Sequence, residues 1–582
     1  MTCGVMSSLV DVAVPEMAAG VLTYSIDEVP AIGSRVIVEI QKHLHTGFVI
    51  GETQKKLAPD VEIKPVAGII DDKLMTDKDI WDLAEWSGKV CMCGVNTALR
   101  AILPKNYYMG EKLEPPPDFV RPAQNFTEIH NFNPFDSERV NFYLSELDSP
   151  QRALILFPTR EAAKDFYTLL PDSLKCEAVL WPFSKNWDVW QMVNSKRVRI
   201  VVGAPGAVFA PLCPEKIIVE EEADRAYFLP YGLRISARSL AGRRAAFLGA
   251  TLILGGRIPS LKTYMRTHTR QQDKPDRKNI ILADIYTSRK EESRGIDGNI
   301  PLTFSLIRRT YAELINGHNV VWILNRQGES QEVYCEGCGH VLTCDKCGSV
   351  MRSINDGEML RCRVCGSVRN LPDKCPECGR VFFKGRRPGL EALAKIITPY
   401  YPKVKLYVKG SRKSSMRGLI LSTNRVLDIL GEVNPSLVAW LDWDAELWGD
   451  DYDSRYRAYS RLYDSYYAGS ERDSQRKVLV QSRSSGRRVA EFLASGWEKF
   501  CDAELRQRED YSIPPCGYMI ELDSRGKIPR EAIINILEDA GLFVMDPGDE
   551  SQPVYVNVQS LDEIMSVVEP YTQELTITVR SE

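Results

Sequence analysis

Short runs of apolar residues recur along most of this 582-residue chain. Polar or turn-forming positions bound each run, which is typical of strands that are buried on both faces of a sheet. Amphipathic stretches with helical spacing, such as REAAKDFYTLL at 160–170, lie between the runs. This alternation predicts parallel α/β sheets, with strands at ALILF (153–157), RIVVGA (199–204), KIIVEE (216–221), VVWIL (320–324), LVAWLD (437–442) and VLVQS (478–482).

Length and composition indicate several globular domains. A chain of 582 residues exceeds what one hydrophobic core can organise, so we expect about three to five domains. Apolar runs stay shorter than the roughly 18 residues that span a bilayer, and the N-terminus MTCGVMSSLVDVAVPEM does not have the pattern of a secretion signal. We therefore expect a cytoplasmic protein, with its 15 cysteines as free thiols or metal ligands. The net charge of −4 excludes a simple polybasic nucleic-acid binder.

Eight of the cysteines form four C-x2-C pairs within one short segment, 335–378. Two such pairs present four thiolates to one metal ion, so the segment predicts two closed zinc sites. A catalytic zinc keeps one position open for substrate, which makes these sites structural. Only five residues separate Cys338 from Cys344, which is tight for one site made from the first two pairs. We therefore expect a nested pairing, in which one zinc is held by Cys335, Cys338, Cys375 and Cys378 and the other by Cys344, Cys347, Cys362 and Cys365. A cross-braced pairing is the alternative.

The cysteine spacing, with NRQG at 325–328 ahead of it, resembles the primosomal protein N′ (PriA) family of bacterial replication-restart helicases. The resemblance extends over most of the chain in the family's order. It includes VAVPEMAAGVLTYSIDEVPAIGSRVIVEI and TGFVIGE near the N-terminus, VVGAPGAVFAPLCPEKIIVEEEAD (201–224), VAWLDWDAELWGDDYDSRYRAYSRLY (438–463) and YSIPPCGYMIELDS (511–524).

The resemblance implies a multidomain α/β protein with a small β-rich N-terminal DNA-binding domain, two RecA-like parallel lobes, a double zinc-ribbon insertion and a small α+β C-terminal domain. The family's winged-helix domain is expected to be absent, because the Pro-rich linker EKLEPPPDFVRPAQNF is too short to hold one. The expected boundaries are 1–110 for the N-terminal domain, 111–125 for the linker, 126–275 for the first lobe, 276–334 with 385–490 for the second lobe, 335–384 for the zinc module and 491–582 for the C-terminal domain.

The ATP-binding motifs of that family are expected to be lost. A P-loop needs glycines so that backbone N–H groups approach the phosphates, followed by Lys and Ser or Thr, yet the chain has no GxxxxGK[ST]. The best register places the segment Asp136 to Val140 over the P-loop, with acidic residues in place of the glycines and Arg139 in place of the lysine. Carboxylates there would repel a triphosphate. We expect Arg139 to be a solvated helix residue.

The other motor motifs are altered in the same way. The Walker B position has Glu220 in place of the family's magnesium-binding Asp and Ala223 in place of its histidine, while Glu221 keeps a plausible base position. The segment Gly256 to Pro259 replaces Ser-Ala-Thr-Pro. Arg472 and Arg476 survive where the family carries arginine fingers, without the spacing that would direct them at a γ-phosphate. We therefore expect neither ATP binding nor catalytic residues.

Four residues are candidates for DNA contact. Tyr24 stands where the family stacks the 3′-terminal base, although its neighbour Thr23 replaces the family's carboxylate. Arg35 is a candidate phosphate contact on a predicted strand, with a solvated strand residue as the alternative. Arg487 and Arg488 belong to one of two basic stretches that could follow a DNA backbone; the other runs from Lys262 to Lys278.

Three functions are compatible with the sequence. The leading hypothesis is a DNA-binding scaffold for primosome assembly without ATPase or helicase activity, which binds branched or single-stranded DNA and primosome proteins such as the replicative helicase or single-strand-binding protein. The first alternative is an active DNA-dependent ATPase or helicase with a divergent nucleotide site. The second alternative is a zinc-organised interaction scaffold that does not bind DNA.

Overall fold

The protein is described by a computed structural model. The structure describes residues 8–17, 20–54, 62–117, 125–182, 186–271, 273–285, 302–325, 333–335, 337–338, 340–346, 350–354, 359–362, 366–381, 383–384, 390–407, 416–447, 451–472, 474–482, 487–524, 526–548 and 552–582.

The N-terminal part is an antiparallel sheet covered by helices. Alternating valines from its strands fill a small core of their own, because every second side chain of a strand faces the same side. In spatial order the strands are Leu22–Ile26, Ser8–Ala13, His43–Glu52, Arg35–Ile40 and Gly68–Ile69. The helices are Lys78–Val90, Gly94–Ile102 and Lys105–Tyr108.

The next part is a six-stranded parallel sheet, which we call the first lobe. Its four central strands are buried along their whole length or nearly so, as the continuous apolar runs predict. The strand order is Thr127–Phe132, Thr251–Gly256, Lys216–Val219, Ala153–Leu156, Ile200–Gly203 and Ala178–Leu180. Its helices are Asp136–Leu147, Arg160–Leu169, Asp172–Lys175, Trp187–Asn194, Ala237–Leu248 and Leu261–Thr267, with 3-10 turns at Pro205–Phe209, Arg225–Tyr227 and Arg277–Asn279.

A second six-stranded parallel sheet forms the second lobe. Its strands are ordered Ile280–Asp284, Lys477–Ser482, Pro435–Trp440, Asn319–Ile323, Leu419–Ser422 and Lys405–Tyr407. The helices that accompany it are Phe304–Ile315, Leu390–Ile397, Leu430–Val433, Asp444–Leu447, Ser454–Tyr467, Arg487–Ser495 and Trp497–Glu509, with a 3-10 turn at Asn424–Ile429.

Two small β units and a final sheet complete the molecule. The cysteine module contains a strand pair, Tyr334–Cys335 with Phe383–Lys384, and the three strands Met351–Ile354, Met359–Cys362 and Val368–Asn370. The C-terminal sheet is antiparallel, in the order Val544–Met545, Val554–Val558, Tyr518–Asp523 and Thr576–Arg580. Its helices are Arg530–Asp539 and Asp562–Val568, with a 3-10 turn at Glu569–Tyr571.

The predicted fold class is confirmed: the protein is a multidomain α/β chain with two parallel RecA-like sheets behind a β-rich N-terminal part. All six predicted strands are present within one or two residues of the expected bounds. Between Tyr108 and Thr127, residues 109–117 and 125–126 form neither helix nor strand. Among the residues that the structure describes, no helix combines the length and the apolar character that crossing a membrane requires.

A row of tyrosines joins the two lobes. The helix Ser454–Tyr467 buries Tyr456, Tyr459 and Tyr463, whose i, i+3 and i+7 spacing places them on one face. The Tyr459 ring stacks on Phe500 at 4.1 Å between centroids. Because a buried hydroxyl needs a hydrogen-bond partner, the Tyr456 hydroxyl donates to the Pro259 carbonyl of the first lobe at 2.6 Å. These residues belong to one hydrophobic core that runs through both lobes and the N-terminal helices.

Replacing Tyr463 by alanine is expected to destabilise the whole molecule. Tyr463 is fully buried, and its hydroxyl accepts a hydrogen bond from Gln271 Nε2 at 3.1 Å. Truncation leaves a cavity and removes one of the hydrogen bonds of the Gln271 amide, at a cost of about 3–5 kcal/mol in the free energy of unfolding. Chemical denaturation would measure this cost. Tyr511→Ala, which removes a largely exposed ring, is the matched control, and equal losses in both variants would contradict the shared core.

Candidate functional site

The segment that replaces the P-loop begins a helix whose first turn is closed by an arginine. The helix Asp136–Leu147 follows the edge strand of the first lobe, and its first turn carries Asp136 and Glu138. The Arg139 side chain is only 1% exposed. Its guanidinium donates to Glu220 Oε1 at 2.8 and 2.9 Å and to Glu221 Oε1 at 2.8 Å. The expectation that Arg139 is a solvated residue is therefore wrong, because the guanidinium neutralises a buried carboxylate group.

The carboxylates at the expected Walker B position, after the strand Lys216–Val219, form hydrogen bonds and ion pairs with other side chains of the chain. Tyr143 donates its hydroxyl proton to Glu220 Oε2 at 2.5 Å, so that both oxygens of Glu220 are occupied. Glu222 is buried and pairs with Arg238. The two carboxylate oxygens of Glu220 are thus held by a guanidinium and a phenol.

Arg257 connects this cluster to the second lobe. It lies in the segment that replaces Ser-Ala-Thr-Pro, and its Nη2 donates to both oxygens of Asp136 at 2.9 Å. Its Nη1 lies 2.9 Å from Glu221 Oε1 and 3.3 Å from Asp464 Oδ1. Asp464 is on the helix Ser454–Tyr467. We call Asp136, Arg139, Glu220, Glu221, Arg257 and Asp464 the interlobe charge cluster.

The two arginines at the finger position have structural contacts. Arg472 donates to both oxygens of Glu138 at 2.6 and 2.8 Å, and its guanidinium lies over the Phe135 ring. Arg476 is buried and donates to the Ala468 carbonyl at 2.7 Å. Both guanidinium groups are thus held by contacts within the chain.

The cleft between the lobes is acidic. A cavity of about 370 Å³ remains beside the charge cluster. Among the described residues that line it, Arg257 is the only basic one, whereas six carry carboxylates: Asp136, Glu221, Asp224, Asp428, Glu432 and Asp464. A nucleotide triphosphate would meet like charge at this short range, which opposes its binding.

The interlobe charge cluster holds more carboxylates than guanidinium groups. The cluster contains four carboxylates and two guanidinium groups, so its fully ionised form carries a net negative charge where little water can solvate it. Burial raises the pKa of Glu221 to about 7; Arg257 and Arg139 oppose the rise, and Glu220 and Asp464 add to it. Protonation of the Glu221 carboxylate therefore reduces the repulsion among the acids of the cluster near neutral pH.

The cysteine module gathers four thiols at one point. The Sγ atoms of Cys335 and Cys378 lie 3.5 Å apart, and those of Cys338 and Cys375 lie 3.6 Å apart. All four ligand atoms lie within 4.8 Å of one another. The antiparallel pairing of Cys335 with Phe383 brings the first and last C-x2-C pairs together.

The remaining cysteines of the module are described in part. Cys344 and Cys362 are buried in one small apolar cluster with Leu342 and Leu360. Cys347 and Cys365 lie outside the described residues. The Cys362 backbone N–H donates to the Ser367 carbonyl, as Cys335 does to His340 and Cys375 to Arg380, all at 2.8–2.9 Å. The same turn thus recurs at three of the four pairs.

Two of the predicted DNA contacts are contradicted by burial. Tyr24 is 4% exposed and is packed in the N-terminal core, with its hydroxyl donating to the Glu39 carbonyl. Arg35 is fully buried, pairs with Asp71 and donates to the carbonyls of Tyr107 and Glu111 at 2.8 Å. Neither side chain presents a surface to a base or a phosphate. An aromatic residue and a cation on a strand gave no signal of this, because the partners of Arg35 lie 36 or more positions away.

The other two candidates lie at the start of the helix Arg487–Ser495. Arg488 is exposed, whereas the side chain of Arg487 and residues 483–486 lie outside what the structure describes. The basic stretch 262–278 is partly neutralised, since Arg266 pairs with Glu128 and Lys278 with Asp276. Arg488 thus remains a prediction for DNA contact.

Comparison with known proteins identifies relatives over different parts of the chain. Residues 11–104 match the family model of the PriA 3′-DNA-binding domain (3′BD). The chain is 24% identical over 358 residues to replication restart protein PriA of Bacillus subtilis, covering 58% of this chain and 44% of that protein. It is 24% identical over 536 residues to the PriA of Rickettsia typhi, covering 83% of this chain and 82% of that protein. The chain thus spans less than half the length of the Bacillus relative.

Two solved structures have a partly similar chain trace. One is a DEAD box protein from Methanococcus jannaschii, at 12% identity and a TM-score of 0.30, with 66% of this chain and 86% of that chain covered. The other is the DExH-box NTPase HrpB of E. coli, at 10% identity and a TM-score of 0.34, with 63% of this chain and 40% of that chain covered.

Replacing Glu221 by glutamine is expected to change how stability depends on pH. The folded state holds Glu221 neutral up to a pKa of about 7, whereas an unfolded glutamate ionises near 4.5. The contribution of Glu221 to stability is therefore complete below about pH 4.5 and is lost as the pH rises to about 7. Glutamine cannot ionise, so the variant should exceed the wild-type free energy of unfolding by about 1–3 kcal/mol at pH 8 and match it near pH 5.

Denaturant unfolding at pH 5, 6, 7 and 8 would measure the difference. Glu569→Gln, at an exposed position, is the control and should follow the wild-type curve. A constant gap between Glu221→Gln and wild type at every pH would show that the cluster holds no titrating proton in this range.

Proposed function

We propose, from the similarity of the chain to replication restart protein PriA, that it binds branched or single-stranded DNA and supports primosome assembly without hydrolysing ATP. The observation that supports the second half is the interlobe charge cluster, in which the acids and arginines at the expected P-loop and Walker B positions pair with one another. The protein would act in the cytoplasm together with primosome proteins.

The lost ATPase activity follows from what phosphoryl transfer requires. Catalysis depends on a phosphate cradle, a magnesium ion and cations directed at the γ-phosphate. Here the cradle position is a helix start with two acids, the Walker B oxygens of Glu220 are occupied, and Arg472 pairs with Glu138. Binding a triphosphate would require breaking buried ion pairs and leaving their carboxylates unpaired, which costs several kcal/mol.

DNA binding is supported by the match of residues 11–104 to a 3′-DNA-binding domain. The burial of Tyr24 and Arg35 means that any contact uses other residues of this domain or basic residues elsewhere. Of the residues named from the sequence, the exposed Arg488 at the start of its helix is the best-placed phosphate contact.

The cysteine module is proposed to hold two structural zinc ions. A tetrahedral site with Zn–S bonds of about 2.3 Å has sulfur atoms about 3.8 Å apart, and the four thiols around Cys335 are arranged close to that separation. Cys335, Cys338, Cys375 and Cys378 would hold the first ion. The repeated turn at Cys362 supports a second site with Cys344, Cys347 and Cys365. Zinc would supply cross-links in a module too small for a large core.

The purified protein is expected to bind forked DNA but to release no phosphate from ATP, with or without DNA. Its affinity should fall steeply between about 50 and 200 mM salt, because phosphate contacts release counterions. Arg488→Ala should reduce the slope of log affinity against log salt by about one. Fluorescence anisotropy with labelled forks and a phosphate-release assay provide the two measurements.

Lys164→Ala is the control, because Lys164 is an exposed lysine on the first lobe outside both basic stretches. It should leave the salt slope unchanged. DNA-stimulated phosphate release would contradict the inactive motor. If the protein fails to bind forks at low salt, the zinc-organised scaffold without DNA binding becomes the better account.

Two zinc ions are expected per chain, and Cys338→Ser should remove one of them. Serine cannot supply a thiolate, so the first site would lose its fourth ligand. Metal content by mass spectrometry would show about one zinc in the variant, and circular dichroism would show local unfolding of the module. Cys176→Ser, at an exposed cysteine on the first lobe, should keep both ions. Unchanged zinc content in Cys338→Ser would exclude the proposed ligand set.

A further inference from the structure

A carboxylate from the C-terminal sheet is bound in a pocket on the first lobe. Glu582 follows the strand Thr576–Arg580. Its Oε1 accepts hydrogen bonds from Ser239 Oγ at 2.6 Å and from Arg238 Nη1 at 3.0 Å. Arg238 is 5% exposed, so the carboxylate meets a guanidinium that is already removed from water.

The pocket is built for an anion. Arg238 and Ser239 lie in the first turn of the 12-residue helix Ala237–Leu248, where free backbone N–H groups favour negative charge. Lys262 approaches from the neighbouring helix and lies 3.4 Å from Ser239 Oγ and 3.3 Å from Ser581 Oγ. Ser236, at the helix N-cap, also faces the carboxylate.

The balance of charge favours the ionised ligand. Burial raises the pKa of Glu582, but Arg238 and Lys262 outweigh that effect and bring the pKa down to about 2. Glu222 faces the same guanidinium from the end of a neighbouring strand and uses part of its charge. Lys262 is a second cation near the Glu582 carboxylate. Its charge explains why Arg238 can pair with both Glu222 and Glu582.

We propose that Arg238, Ser239 and Lys262 form an oxyanion-binding pocket in which the Glu582 carboxylate is a built-in ligand that a free carboxylate or phosphate can replace. The bound group is held by one charged and one hydroxyl donor at hydrogen-bond distance, with a second cation within reach. Acetate and inorganic phosphate have the same charged oxygen atoms and fit the same donors.

Occupation of the pocket joins three parts of the molecule. The Glu582 backbone oxygen accepts a hydrogen bond from Tyr452 of the second lobe at 2.6 Å. In the same segment, Arg580 lies over the Phe228 ring at 3.8 Å, and Thr578 Oγ1 accepts from Arg234 at 3.2 Å. A cavity of about 90 Å³ beside Glu582 gives room for water or a small anion. Exchange of the ligand would therefore loosen the C-terminal sheet from both lobes.

An attached ligand has a high effective concentration, in the millimolar range for a short connection. A free anion should therefore compete poorly with Glu582 in the wild type and bind readily when the carboxylate is removed. This difference separates a real pocket from nonspecific salt effects, because ionic strength acts on both proteins alike.

The test compares the full-length wild type with Glu582→Ala by hydrogen exchange of the strand Thr576–Arg580. The variant should exchange these amides about tenfold faster, since one charge-assisted contact of about 1.4 kcal/mol is lost. Acetate or inorganic phosphate at millimolar concentration should return the rate to the wild-type value in a saturable way. Chloride at equal ionic strength should have no effect.

Two further variants keep the test decisive. Glu574→Ala removes an exposed glutamate in the turn before the same strand and should exchange like the wild type. Arg238→Gln combined with Glu582→Ala should lose the rescue while its far-UV spectrum shows a folded protein. Return of the Glu582→Ala exchange rate to the wild-type value with phosphate alone, or with both anions, supports the proposed pocket. The anion concentrations needed show which ligand binds more tightly. The proposal is overturned if Glu582→Ala exchanges like the wild type, or if chloride matches the other anions.

Discussion

Two guanidinium groups, one buried and one half-buried, hold the charged residues at the boundary of the lobes, and Arg257 extends this network to the second lobe. Arg139 and Arg257 lie among four carboxylates drawn from a helix start, a strand end and the helix of the opposite lobe. Removing either cation would leave like charges facing one another at the cleft. The acid at the helix start and the acids after the strand end are therefore balanced by Arg139 and Arg257 together.

Much of the fold was predictable because the signals were local. Continuous apolar runs such as ALILF can be buried only inside a sheet, and the structure places each of them there. The cysteine pairs were equally clear, since C-x2-C spacing fixes how two thiols face one metal. Which pairs come together is a tertiary property, and the structure gathers the outer two through the pairing of Tyr334–Cys335 with Phe383–Lys384.

The individual charged residues were not predictable from local pattern. Arg139 has the spacing of a surface residue, and its burial depends on Glu220 and Glu221, which are about 80 positions away. Arg35 and Tyr24 were expected at a DNA surface, yet the carbonyls of Tyr107 and Glu111 and the valine core cover them. The one available hint was the excess of acids at 136–140 and 220–224, which favours a buried cation nearby, but the local sequence does not say which one.

The same contacts bear on what the lobes can do. A motor of this fold works by moving its lobes apart and together as nucleotide binds and leaves. Here Arg472 pairs across the cleft with Glu138, Tyr456 donates to Pro259, and the aromatic rings of the helix Ser454–Tyr467 belong to a core shared by both lobes. Opening the cleft would expose those rings and separate the ion pairs at once. A lobe pair joined in this way is suited to presenting a fixed surface, because these contacts favour one relative position of the lobes.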